Sequence, residues 1–373
     1  MDIKSFVVGY QKGKASAGGG SPEGFHMVRF FNDDRTTLLY TVFVPTGANA
    51  IYAGEAPLST EDSTLVFVGF DPAATNITGD LNCYASYESI KTLDETSWSA
   101  ISSLSVMGTA DNYFAVGDTK MVHIEGTVGS LEVNGDYGVY ILGFDHNKAL
   151  EGRGITFGTF KSAVSDGANL CLVDSKYGLE STNGTKCFNV NHWGGTNSGG
   201  WAGSDMRYDI LGSTDTPPSG YGKKVASGRV GYAPSATCAT NPVANTLMAA
   251  LPADLRAVMK PMTKYTCSSG NSNSESNVTV MTDYLSLLTE FEIDGVIYLS
   301  NKSEQFKQQR YSYYAAGNSK LKYAHSDSSS AVRWWERSAC STNPSTFCTI
   351  NESGERWNAM LNTSRGIAPI FKV

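Results

Sequence analysis

The apolar positions of the chain fall into three regions separated by polar, glycine-rich stretches. In residues 1–22, Ile3, Phe6, Val7 and Tyr10 recur at helical spacing and form one small apolar face. A peptide this short cannot bury such a face by itself, so it reads either as an anchor that docks on another protein or as a frayed terminus. It runs into Ala15-Ser16-Ala17-Gly18-Gly19-Gly20-Ser21-Pro22, a flexible linker by composition. In residues 23–90, partial alternation over 26–31, a polar turn at Asn32-Asp33-Asp34-Arg35 and a second run over 38–44, stopped by Pro45, predict a hairpin. Further strands are predicted at 65–70 and 82–87.

The third region, residues 91–373, mixes both periods. Thr96 and Ser97 precede Trp98, Ile101, Leu104 and Met107, and Gly108 follows, the pattern of a short helix capped at both ends. Strands are predicted at 121–124, 139–144, 154–160 and 285–288. Residues 191–203, full of Gly, Asn and Trp, read as loop, and Ser204 and Asp205 cap a predicted helix carrying Met206, Ile210 and Leu211, ended by Gly212. Residues 213–241 are polar and read as a surface excursion. Leu247, Met248, Leu251, Leu255, Val258 and Met259 form a helical stripe that Pro252 divides into two short helices, opening the second. Aromatics Phe306, Tyr311, Tyr313 and Tyr314 gather within 300–316. Between 339 and 365, Ser, Thr and Asn supply 12 of 27 residues and no helix or strand period runs through them. This stretch therefore reads as loop on short supports at Phe347, Ile350, Gly354 and Ala359.

With 373 residues the chain suits two or three domains, and the succession of strands and short helices indicates the α+β class. The formal net charge of −7, with no basic run, argues against nucleic acid as a partner. No apolar stretch approaches ~20 residues, so no membrane insertion is expected. The opening apolar run, Phe6 to Val8, is too short for a secretory signal. Synthesis in a host cytoplasm without a signal peptide is the expectation, with exit by lysis or within a particle. The 7 cysteines, Cys83, Cys171, Cys187, Cys238, Cys267, Cys340 and Cys348, contain no C-x-x-C and read as buried or incidental free thiols; only Cys340 and Cys348 are close enough in sequence to bridge a loop.

An enzyme needs a constellation, and none stands out. His26, His123, His146, His192 and His325 lie in no metal-binding pattern, and Asp145-His146-Asn147 reads as a hydrogen-bonded turn. There is no G-x-S-x-G elbow, no phosphate-binding P-loop and no dense calcium-type loop. Glu290 and Glu292 make a weak acid–base pair without the signature of a cleft. No cofactor and no metal are expected, and the reading is of a binding protein rather than an enzyme.

Two resemblances sharpen this. In 23–90, the hairpin followed by VPTGANAIYAGEAP, FVGFDP and NITGDLNCYASY resembles the internalin-type B-repeat, a small β-grasp-like module of bacterial surface and phage tail proteins. Phe70 stands where that family usually has Trp. In 91–373, the motifs GDTK, GFDHN, NHWGG, GGWAGSDMRYDILG, LMAALPADLRAVMKP, TDYLSLLTEFEIDG, YYAAGN, WWERSA and RGIAPIFKV occur in that order. They are similar to an uncharacterised domain family of gut bacteria and their phages. That family in turn resembles the formylglycine-generating-enzyme subtype of the C-type lectin fold, used by variable proteins of diversity-generating retroelements. There a reverse transcriptase rewrites adenine positions near the 3′ end of a gene, so Asn codons scatter into other residues.

The resemblance implies a C-type-lectin-like domain over 91–373 with a variable segment at 339–365. It implies receptor-binding roles for Ala339, Ser341, Thr342, Asn343, Ser345, Thr346, Thr349, Asn351, Ser353, Glu355, Arg356, Trp357, Asn358, Met360, Leu361, Asn362, Thr363 and Ser364. Trp357, Met360 and Leu361 are the large apolar residues suited to hot spots, and Trp334, Trp335, Ile367, Ile370 and Phe371 the supporting core. The implied protein is a phage or prophage receptor-binding protein or adhesin, located at the virion's tail or fibre tip. It would contact a host-cell surface protein or glycan, attach to tail or baseplate proteins by its N-terminus, and form a homo-oligomer, a trimer by preference. A bacterial surface adhesin of the same fold is the alternative, and a glycan-active or oxidative enzyme a more distant one. The oxidising enzymes of related fold use a cysteine pair whose spacing Cys340 and Cys348 do not match.

Overall fold

The computed structural model describes residues 21–163, 167–174, 177, 197–213, 238–267, 270–361 and 363–373. Residues 1–20 of the expected anchor and linker, 191–196 of the expected loop, 214–237 of the expected excursion, Cys187 and Asn362 lie outside the described residues. The chain divides into two units, 1–88 and 89–373.

In the first unit the expected hairpin forms from β1 (Phe25–Phe31) and β2 (Leu38–Pro45), which pair antiparallel with Phe25 opposite Pro45. β3 (Val66–Asp71) and β4 (Leu81–Glu88) complete a sheet of order β2-β1-β4-β3, in which β1 and β4 run parallel. Alternation on β1 turns Val28 and Phe30 inward, where they meet Val44, Ile77 and Cys83. Phe70 packs edge-on to Phe30 at 4.7 Å, so the ring at this position serves the module's core.

The second unit is mostly sheet with short helices. α1 (Trp98–Met107) starts where Ser97 accepts the Ala100 N–H and stops at Gly108, whose φ of 71° is left-handed. β5 (Thr119–Val128) and β6 (Leu131–Phe144) form a long hairpin, followed by α2 (Lys148–Glu151), β7 (Ile155–Lys161) and β8 (Leu170–Cys171). The expected split at Pro252 yields α3 (Leu247–Ala250) and α4 (Ala253–Val258), with Pro252 as the second N-cap. Then come β9 (Met262–Cys267), β10 (Val278–Asp283), β11 (Leu285–Ser286), α5 (Glu290–Asp294) and α6 (Ser312–Ala315). The chain ends through β12 (Tyr323–Ala324), β13 (Asp327–Ala331), β14 (Trp334–Ala339), β15 (Thr346–Ile350), β16 (Arg356–Met360) and β17 (Ile370–Lys372).

The largest sheet has the order β11-β17-β7-β6-β5, so the last strand of the chain is inserted between β11 and β7. Phe371 on that strand stacks on Phe157 at 5.2 Å, and Trp98 of α1 closes over both rings. Two results depart from the sequence reading. Met206–Ile210 is a π-helical turn rather than an α-helix; its Arg207 is drawn into a buried pair with Asp283 at 2.6 Å, which also takes the Trp201 indole N–H at 2.7 Å. Within 339–365, expected as loop, β15 and β16 are strands. Every residue of β15 is buried on both faces, so the alternation that betrays a half-exposed strand is absent. Among the described residues no helix is long and apolar enough to cross a membrane, and no His, Cys, Asp or Glu group could hold a metal ion.

Candidate binding site

β14, β15 and β16 form one antiparallel sheet with β15 in the middle and β16 at the edge. Trp335 lies opposite Thr349, and Thr349 opposite Trp357, so three residues from separate sequence positions line one face. Trp334 and Trp335 are fully buried, and the Trp334 indole donates to the Lys320 carbonyl at 3.0 Å.

A buried ionic frame holds this sheet. The Arg337 guanidinium on β14 grips Glu292 of α5 with two bonds, 2.7 and 3.1 Å, and donates to the Leu287 carbonyl. Lys264 lies 3.4 Å from Glu292 and 3.3 Å from Glu151, and donates to the Tyr311 hydroxyl at 3.0 Å. Burial alone would raise the Glu292 pKa, but the charges of Arg337 and Lys264 overcome it and hold the carboxyl at about 2. Glu304, which accepts from the Cys267 N–H and the Ser338 hydroxyl, is instead pushed up to about 7 by burial. His146 stacks on Tyr311 at 3.6 Å, and burial, aided by the charge of Lys264, pushes it down to about 3, leaving a neutral imidazole.

The acid–base candidates from the sequence are engaged in structure. Glu292 closes a capping box with Thr289 as well as pairing with Arg337. Glu290 accepts the N–H groups of Tyr298, Leu299 and Ser300, pinning the loop after α5. Cys340 and Cys348 are free, buried thiols whose sulfurs lie 3.6 Å apart, well beyond the ~2.05 Å of a disulfide.

The sequence-derived contact residues separate by burial. Thr342, Asn343, Ser353, Glu355, Trp357 and Met360 are exposed, and Ser345, Asn351, Arg356, Asn358, Thr363 and Ser364 are partly so. Ala339, Ser341, Thr346, Thr349 and Leu361 are buried and cannot present side chains to a partner. The reasons are local: Ala339 sits on the covered strand β14, Thr346 and Thr349 lie on the central strand, and the Ser341 hydroxyl donates inward to the Leu299 carbonyl at 3.0 Å. Leu361 turns its apolar side chain into the interior directly after the edge strand.

Between β15 and β16, Asn351 organises a tight turn. Its side-chain oxygen accepts the N–H groups of Ser353 and Glu355, each at 2.9 Å, and Gly354 takes the left-handed conformation with φ of 77°. Beyond the turn, Trp357 is 52% and Met360 53% exposed. The Arg333 guanidinium lies 5.8 Å from the Trp357 ring and pairs with Glu352 at 3.1 Å. On the opposite face of the strand, Arg356 lies 3.9 Å from the ring of Tyr298, itself 64% exposed. Sequence reasoning missed Tyr298 and Arg333 because both lie outside the Ser/Thr/Asn-rich stretch and only folding carries them to it. No curated protein and no solved structure matches the chain. Residues 168–373, more than half of the chain, match the domain of unknown function DUF6273, and the chain belongs to that family.

Proposed function

We propose that this protein is a receptor-binding protein of a phage or prophage, attached to the particle by its N-terminal segment and contacting a host-cell surface through the β15–β16 hairpin. The chain's last strand inside the large sheet, with the WWERSA strand in a separate small sheet, supports a C-type-lectin-type reading of the second unit. The order β2-β1-β4-β3 with a parallel central pair supports a β-grasp-like spacer in the first. No enzymatic step is proposed, and a homotrimer in the virion, without cofactor, is the working assembly.

One observation carries the proposal: large apolar side chains, Trp357 and Met360, stand exposed on an edge strand whose neighbour is buried throughout. A stiff support with an exterior that can change without touching the core is the physical requirement for a diversified contact surface. Sequencing the 3′ end of the gene across a phage population tests it. Substitutions at adenine positions should concentrate in the codons of the exposed and partly exposed residues and spare Ala339, Ser341, Thr346, Thr349 and Leu361. Changes spread evenly along the gene, or falling on those five buried positions, would refute the assignment.

A further inference from the structure

We propose that the surface beside Trp357 binds an anionic glycan, the Arg333 and Arg365 guanidiniums taking its carboxylate or phosphate while a sugar ring stacks on the indole. The inference rests on the binding-protein reading above and names its ligand class.

Two arginines meet here with one carboxylate between them. The Arg333 carbonyl accepts the Gly366 N–H at 2.9 Å, which sets the backbones of Arg333 and Arg365 side by side. Glu352 bonds Arg333 at 3.1 Å and is half-exposed. The repulsion expected of two arginines set side by side agrees with the pKa of Arg365, lowered by burial and then by the charge of Arg333, with Glu352 opposing. The cluster therefore carries a net positive charge within a chain of net charge −7. Its remaining charged neighbour on the edge strand, Arg356, faces the other way, toward Asp294 at 3.7 Å.

The pair is also under-satisfied. Neither the Arg333 Nε nor the Arg365 Nε has a hydrogen-bond acceptor among the described residues. Arg365 otherwise donates to the Ser364 carbonyl at 3.0 Å. A guanidinium presents a planar fork that matches carboxylate or phosphate oxygens with paired, charge-assisted bonds. Both Nε atoms are buried, so an incoming anion acts on the pair through its charge, offsetting the repulsion between the arginines.

The indole supplies the other half of the site. The Arg333 guanidinium near its face holds Trp357 beside the arginines while leaving half of the residue open. On this face the exposed apolar surface of the strand is a single ring, enough for the C–H face of one sugar and too little for the apolar anchors of a protein partner. Arg333 lies before the variable segment and Arg365 is its last residue, and neither is among the contact residues assigned to variation. A constant pair that reads charge and a variable hairpin that reads the rest of the ligand divide the work of recognition.

The test uses the full chain on an array of immobilised neutral, carboxylated and phosphorylated oligosaccharides, with an acidic peptide as a further probe. The best ligand is then titrated calorimetrically against its carboxyl-reduced or dephosphorylated counterpart. Binding should be confined to acidic glycans, fall about ten-fold or more when the acid group is removed, and weaken with salt. Carboxylated and phosphorylated arms identify which acid is read. Arg333→Gln, Arg365→Gln and Trp357→Ala should each lose about ten-fold, with melting curves checking the fold. Equal binding of the neutral counterpart, an array blank for acidic glycans, or capture of the acidic peptide alone overturns the inference. A blank array beside confirmed variation of the hairpin codons removes only the ligand class. Acid-glycan binding beside an invariant hairpin leaves the site but removes the retroelement reading.

Discussion

Arg337 is buried on β14 and joined to Glu292 by two bonds, so replacing it tests whether this pair is the strut beneath the candidate surface. In Arg337→Met, Glu292 keeps only Lys264 at 3.4 Å and the Thr289 N–H at 3.0 Å. Breaking one side of a buried pair costs about 3–5 kcal/mol. Against burial, Arg337 is the largest of the influences that hold the Glu292 carboxyl down at about 2, with Lys264 next. Because this pKa is depressed, the stabilisation is present in full above pH 4.5 and is lost as pH falls through 2. Urea unfolding followed by tryptophan fluorescence, with Trp334 and Trp335 buried beside the pair, reads the loss directly. For a domain this large, a melting temperature lower by roughly 8 °C should accompany it. The double variant Arg337→Met with Glu292→Gln removes both charges, keeps an acceptor for the Thr289 N–H, and leaves Lys264 its Glu151 partner. It should lie closer to the wild type than Arg337→Met alone, with a coupling of about 2 kcal/mol. A loss below about 1 kcal/mol for the single variant, or simple additivity in the double, would show that the pair is not the strut.

Other outcomes follow from the same geometry. Trp335→Ala should destabilise by about 3–5 kcal/mol in chemical denaturation, since it empties a fully buried site. Trp357→Ala, half-exposed, should stay within about 1 kcal/mol of the wild type yet lower adsorption to host cells. Glu304 holds its proton up to about pH 7, so its contribution is full below 4.5 and is lost as pH rises through 7. Melting temperatures of Glu304→Gln across that window should fall less steeply with rising pH than those of the wild type; parallel curves would refute the shift. His146, held at about 3, acts in the opposite sense, losing its contribution as pH falls below 6.5, and is common to both proteins in that comparison. Thr289→Ala removes the capping box of α5 and should cost about 1 kcal/mol, measured by urea midpoint.

What the sequence determined is what a few neighbouring residues can decide. Ser97 and Gly108 bracket α1, Pro252 splits the stripe that follows Thr246, and the polar turn after Phe31 joins β1 to β2, all as the local pattern requires. Caps, turns and periodic apolar faces act within one or two helical turns, so they survive without knowledge of the rest of the chain. The supporting core was legible for the same reason, because Trp334, Trp335, Ile367, Ile370 and Phe371 are too apolar to lie elsewhere. Tertiary structure decided which polar residues are also inside. Thr346 and Thr349 read as loop hydroxyls, yet they belong to a strand covered on both faces, while Trp357 and Met360 two strand-lengths on are exposed. It also decided that Glu292 meets Arg337 and that Arg333 meets Trp357. These pairs are far apart in sequence, and their contact depends on how every sheet in the unit packs at once, which no local period encodes.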